Sequence, residues 1–238
     1  MDKTKIEWCD STLNPLGQWC FGPGGTKQNI KTCDYCFAKR MAQRHMISCP
    51  KCHTFSEPHT HFDQLDKLHK WKKQRTIFIQ SMGDLFHDSV ADEWIRTVFN
   101  ACAAVPRHRF LFLSKNPERY LKLQFDGMLP MSHWYGYSAE TPDRFYYDYH
   151  YHASITNKFI SIEPIHAGGW NILNDWPFFA DWVIVGVETG RRKGKVIPER
   201  EWIEDIVNAC RGAGVPIFMK NSLRDVWGNE LIQELPWR

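Results

Sequence analysis

Nothing in this 238-residue sequence is apolar for long enough to cross a bilayer as a helix, so no helical membrane span is expected. The opening residues, MDKTKIEWCD, are charged and lack an apolar core segment, so they do not read as a secretory signal. A cytoplasmic location, without membrane partners, is the expectation. Charge of one sign is also missing. Thirty Lys and Arg face 27 Asp and Glu, a net +3, and that balance is no argument for a nucleic-acid partner. No H-E-x-x-H occurs, which puts a zinc-dependent hydrolase last among the enzyme classes. No internal repeat or linker divides the chain, so residues 1–238 are read as a single domain. What is plentiful is cysteine, eight in all, and tryptophan, eleven. In a reducing compartment those cysteines are expected as metal ligands or buried thiols rather than disulfides.

The most distinctive stretch runs from Cys20 to Arg40, C-FGPGGTKQNIKT-C-DY-C-FAKR. Cys33 and Cys36, two residues apart, can turn both sulfurs toward one metal centre. Cys20, at the far end of a loop holding Gly22, Gly24 and Gly25, can fold back to join them. An ordinary cubane cluster takes four cysteines, one per iron, so three would leave one iron open. The same residues also suit a zinc knuckle with a histidine as fourth ligand, or unligated thiols.

Along the chain, Ile6–Cys9 alternates and reads as a first strand, with Ser11–Pro15 as the turn leaving it. Phe37–His45 reads as a helix. Cys49–Phe62, the heart of an insertion at about 46–66, reads as a loop. From Thr76 a regular pattern begins: strands at Thr76–Gln80, Arg109–Leu113, Trp134–Tyr137, Lys158–Ile162, Asp181–Val187 and Val215–Met219. Helical spacing intervenes at Asp92–Ala104, Pro117–Leu123, Asp143–Ile155 and Glu199–Arg211. Asp92 is a candidate cap, and Gly212 and Gly214 end the last of these helices. Strands alternating with helices imply an α/β fold with parallel pairing. It is expected as a partial or full (β/α) TIM-like barrel of six to seven parallel strands, with the Trp-rich tail from Arg224 closing its base or seam.

Each apolar run stops at a polar residue: Gln80, Ser81 and Asp84; Ser114 and Lys115; Ser138 and Glu140; Ser161 and Glu163; Glu188; Lys220 and Asn221. In a barrel such ends share one face, where ligands bind. Asp84 or Glu140 could accept from an ammonium or ribose hydroxyls, Lys115 or Lys220 could meet a carboxylate, and Gly83 could admit a ligand close to the backbone.

Several segments together resemble a phage-associated family of unknown function, found in phages, prophages and bacteria. They are Lys3–Trp8, Asn14-Pro15, Cys33-x-x-Cys36-Phe37-Ala38, Ser81–Phe86, Ser114–Arg119, Ser161–Pro164 and Asp181–Gly186. That family is similar in turn to radical S-adenosylmethionine (radical SAM) enzymes of the spore photoproduct lyase type. The resemblance implies a 4Fe-4S cluster on Cys20, Cys33 and Cys36, with Tyr35 as the aromatic residue before the third cysteine. It implies SAM as cofactor, reduced through an external electron donor to a 5′-deoxyadenosyl radical. Ser81, Gly83, Asp84, Lys115, Ser138, Glu140 and Glu163 are the expected cofactor-binding residues. A nucleic acid base or nucleotide is the expected substrate, and the basic run Lys67–Arg75 favours it too. In one respect the chain departs from the pattern: twelve residues, not three, separate Cys20 from Cys33. Cys9 is therefore a rival third ligand.

The second C-x-x-C, Cys49 and Cys52, lies near His53, His59 and His61 and has the composition of a zinc site or of a loop with unligated thiols. Cys102 and Cys210 fall on apolar helix faces and read as core residues. The alternative to an enzyme is a non-catalytic nucleic-acid-binding phage protein stabilised by zinc or iron–sulfur.

Overall fold

The computed structural model describes residues 4–44, 49–145, 155–170 and 180–237. The chain forms two compact units, residues 1–134 and 135–238. Among the described residues no helix is long and apolar enough to cross a membrane.

In the first unit three strands pair in parallel and in chain order. They are β1 (Ser11–Leu13), β2 (Thr76–Ile79) and β3 (Arg109–Ser114), with Ser11 opposite Ile77 and Thr76 opposite Arg109. β2 is buried at every position, as its uninterrupted TIFI run requires. Three short helices, α1 (Phe37–Ala42), α2 (Pro50–Thr54) and α3 (Asp66–Lys70), lie between β1 and β2. α4 (Asp92–Ala103) connects β2 to β3 and buries Ile95, Val98, Phe99 and Cys102, the stripe its periodicity predicts. α5 (Glu118–Phe125) follows β3. Phe86 ties these layers together, its ring 4.5 Å from Tyr120, 5.9 Å from Phe112 and 6.3 Å from Phe99.

The second unit holds β4 (Trp134–Ser138), β5 (Lys158–Ile162), β6 (Trp182–Val185) and β7 (Ile217–Met219), again parallel and in chain order. α6 (Arg200–Ala213) packs Ile203, Ile206 and Cys210 onto a core that includes Ile160, Val183 and Met219. Gly214, in the left-handed region at φ 69°, ends α6 as expected, whereas Gly212 lies within it. After α7 (Arg224–Trp227) the tail runs antiparallel beside β7. The Met219 N–H donates to the Ile232 carbonyl at 2.7 Å, and the Glu234 N–H to that of Ile217 at 2.9 Å.

Three local expectations are corrected and a fourth is not tested. Residues 6–9 form a turn, with the Cys9 N–H on the Ile6 carbonyl, and the strand is instead Ser11–Leu13. The apolar signal there comes from Trp8, which packs on Phe78 at 4.8 Å. The insertion contains a helix, α2, started by Pro50 at its first turn. Asp92 does not cap α4, because Ala91 occupies that position and the Asp92 carboxylate pairs with Arg119. The helix expected at Asp143–Ile155 lies largely outside the described residues.

Candidate active site

The first unit gathers its polar groups at the C-terminal ends of β2 and β3 and in the cysteine loop. Gln80, at φ 64° and buried, turns its side chain back on the chain after β1: Oε1 accepts from the Leu16 N–H at 3.0 Å, and Nε2 donates to the Gly17 carbonyl at 2.8 Å. Asn14 Oδ1 accepts from the Ser81 hydroxyl at 3.2 Å and the Met82 N–H at 2.9 Å. Trp19 then bridges Gly83, where a Cβ would stand 2.5 Å from the Trp19 carbonyl oxygen. The backbone that Gly83 admits is thus Trp19, one residue before Cys20.

Asp84 binds the β2 end to the β3 end. Oδ1 accepts from the Phe86 N–H (2.9 Å) and the Ser114 hydroxyl (2.9 Å), while Oδ2 accepts from the Lys115 N–H (3.0 Å) and Asn116 Nδ2 (2.8 Å). Its carboxylate is engaged by this chain's own donors. The Lys115 ammonium donates to the Tyr35 hydroxyl, inside the Cys33-x-x-Cys36 unit.

The twelve-residue separation between Cys20 and Cys33 is bridged by a closed excursion. The Lys31 N–H donates to the Phe21 carbonyl at 2.6 Å, the Thr32 hydroxyl to the Cys20 carbonyl at 3.3 Å, and Thr26 and Asn29 exchange backbone bonds at the tip. Closure needs glycine at position 22, where φ is +80° and a Cβ would lie 1.9 Å from the Lys31 carbonyl oxygen. Buried His87 holds the same turn, its Nε2 donating to the Gly22 carbonyl at 3.2 Å while Nδ1 accepts from the Ser89 N–H.

The result is a trio of thiols that feel one another. Burial pushes the Cys20 thiol up to about 12, with Asp84, Cys36 and Cys33 adding to the shift. Burial also raises Cys36, with Cys33 adding and the Lys115 charge opposing. Two of these sulfurs already accept a backbone N–H, Cys20 from Gly22 at 3.2 Å and Cys36 from Lys39 at 3.4 Å, which suits a thiolate. The Cys9 sulfur faces the Ile6 carbonyl at 4.0 Å.

The chemistry of the donor set fits an iron–sulfur cluster: soft sulfur ligands, three rather than four, beside a cation. Among the described residues, the group gathered tightly enough for a single ion is Cys49, Cys52, His59 and His61, not this trio.

In the second unit the strand ends carry ion pairs. Glu163 meets Lys220, so the carboxylate expected opposite Lys220 is the protein's own. Buried Glu188 accepts from Arg192 through both oxygens, at 2.8 and 2.7 Å. Ser138 and Ser161 are buried at the ends of β4 and β5, and the Glu140 carbonyl accepts from the His166 N–H.

Residues 3–231 match the family described as "Protein of unknown function (DUF5131)". The chain belongs to this family. No curated protein matches its sequence. Among solved structures, the chain is similar to spore photoproduct lyase complexed with dinucleoside spore photoproduct. The TM-score is 0.60 at 10% identity, over 92% of this chain and 78% of that one. A cysteine-to-serine mutant of that lyase matches over the same shares with a TM-score of 0.56 and 11% identity. A double mutant of it with bound AdoMet and dinucleoside spore photoproduct matches at 0.53 and 8%, over 87% of this chain and 62% of that one. At such identities the likeness shows the fold alone, an α/β fold of parallel strands like that of the lyase.

Proposed function

We propose that this protein is a cytoplasmic radical SAM-type enzyme whose cluster is held by Cys20, Cys33 and Cys36, and that it acts on a nucleotide or nucleic acid base. The observation that carries the reading is that the twelve-residue loop between Cys20 and Cys33 closes on itself, through Lys31 on Phe21 and Thr32 on Cys20, and is tied to the β2 and β3 ends by the Trp19–Gly83 bridge and the Lys115–Tyr35 bond. When bound, a 4Fe-4S cluster of this kind, fed by an external electron donor, supplies the electron for reductive cleavage of SAM.

The chain's own residues have separable tasks. The backbone N–H groups of Gly22 and Lys39 stabilise anionic sulfur at Cys20 and Cys36. Lys115, held by Asp84 and braced on Tyr35, offsets the negative charge of the loaded loop. Ser81 is the hydroxyl in the β2-end segment available for the methionyl part of SAM, and Asp84 is a positioning residue. The substrate class rests on the dinucleoside named for the lyase of like fold and on the basic segment at Lys67–Arg75, where Lys67, Lys70, Lys72 and Lys73 are exposed.

Anaerobic purification tests this. The expected protein is brown, holds iron and sulfide, and on reduction with SAM yields 5′-deoxyadenosine and methionine. Cys33→Ala and Cys36→Ala lose iron and product, Cys20→Ala does the same, and Cys9→Ser keeps both. A colourless wild type with zinc on Cys20, Cys33 and Cys36 would refute the enzyme and support a metal-stabilised nucleic-acid-binding protein instead.

A further inference from the structure

We propose that Cys49, Cys52, His59 and His61 hold a structural zinc ion, and that this centre fixes the Pro15–Gln18 turn that leads into Cys20. The proposal does not depend on the enzymatic reading, because it uses none of the cysteine trio.

Distances come first. Tetrahedral zinc, with Zn–S of about 2.3 Å and Zn–N of about 2.05 Å, sets sulfur and nitrogen roughly 3.6 Å apart. Here His59 Nε2 lies 3.6 Å from Cys49 Sγ and 3.1 Å from Cys52 Sγ, and His61 Nε2 lies 3.4 Å from Cys52 Sγ. All four ligand atoms fall within 4.8 Å of one another. The local fold produces this. Cys49 stands at the start of α2, the Cys52 N–H donates to the Cys49 carbonyl at 3.2 Å, and Phe55 at φ 55° ends the helix at once. The chain can then double back with both histidines.

The protonation pattern agrees. His59 Nδ1 lies 2.7 Å from the Glu57 carbonyl, which can only accept, so Nδ1 carries the proton and Nε2 turns its lone pair on the two sulfurs. Cys52, fully buried, accepts the Gln18 N–H at 3.3 Å, a contact suited to anionic sulfur. Two thiolates and two neutral imidazoles leave a zinc ion with no net charge, which a buried site tolerates. Four protein ligands leave no open position, the mark of a structural rather than a catalytic centre.

The same centre grips the turn beneath it. The His61 N–H donates to the Pro15 carbonyl at 2.7 Å, and the His59 ring sits where a Cβ on Gly17 would be, 2.3 Å from Nε2. The turn is thus held between Gln80 and the proposed centre.

Metal analysis of the Cys33→Ala/Cys36→Ala protein, which lacks two of the trio, is the direct test. One zinc per chain is expected, and cobalt replacement should give the intense visible bands of a tetrahedral site with thiolate charge transfer. Cys52→Ser and His59→Ala should lose both signals. Absence of zinc from the Cys33→Ala/Cys36→Ala protein, or an octahedral cobalt spectrum, would overturn the site. Stripping wild type with a strong chelator needs no variant to fold. The Gln18 amide should then exchange at least about tenfold faster while α6 amides do not change. Unchanged Gln18 exchange would overturn the anchoring role.

Discussion

Replacing Asp84 by Asn probes how the β2 and β3 ends are joined. The change keeps shape and one acceptor oxygen, which continues to serve the Phe86 N–H and the Ser114 hydroxyl. The new amide NH2 faces the Lys115 N–H and Asn116 Nδ2, so two donors meet a donor where each had a carboxylate oxygen at 3.0 and 2.8 Å. A buried donor left unpaired costs about 1–3 kcal/mol. Lys115 and Asn116 are only half-buried and water recovers part of that, so the sum is about 2–3 kcal/mol. In urea this is a midpoint lowered by roughly 1 M at an unchanged slope. Asp126→Asn, an exposed carboxylate at the end of α5, is the control, with a change within about 0.5 kcal/mol. Iron content should fall with Asp84→Asn, because Lys115 carries the link to Tyr35. A midpoint shift below roughly 0.2 M would show that the carboxylate is not what joins the strand ends.

Other predictions concern single buried groups. His133 lies among Phe99, Phe110 and Phe112 with no hydrogen-bond partner for Nε2, and burial lowers it to about 4. The unfolded chain binds this proton below about 6.5 while the folded chain resists it until about 4. Stability is therefore complete above pH 6.5 and lost as pH falls, by about 3 kcal/mol at most. His133→Leu should remove that share of the pH dependence in chemical denaturation, and curves for both proteins running parallel from pH 7 to 4.5 would refute it. Gly22→Ala should leave the fold in place, seen by circular dichroism, but cut iron per chain after anaerobic reconstitution several-fold; full iron loading would show that the loop closes another way.

Strands β2 to β7 were legible because each is an apolar run bounded by polar residues, and the stripes of α4 and α6 because four buried residues recur at helical spacing. β1 was not, for a physical reason. Its register is set by partners far along the chain: Asp10 accepts the Thr76 N–H at 2.7 Å and Ser11 accepts from Arg75 at 2.7 Å. Neither leaves a local periodic signal. At the site, Cys33-x-x-Cys36 could be read directly, as could the polar strand ends. Asn14, His87 and Asn116 could not be assigned their roles, since each works through one side chain aimed at a backbone group or carboxylate far along the chain. The available hint was that Asn14-Pro15 and Ser114–Arg119 belong to segments shared with the resembling family.

The tail segment at residues 232–234, bridged to β7, has a protective consequence. Without it, β7 would present a row of unpaired backbone donors and acceptors, a template on which a second molecule could add its own strand. The Gln233 amide, on the Met219 carbonyl at 3.0 Å, and the Trp182 indole, on the Glu234 carbonyl at 2.9 Å, fasten that cover with side chains as well as backbone. A chain cut after Asn229 would keep β7 itself yet become prone to self-association through the uncovered strand.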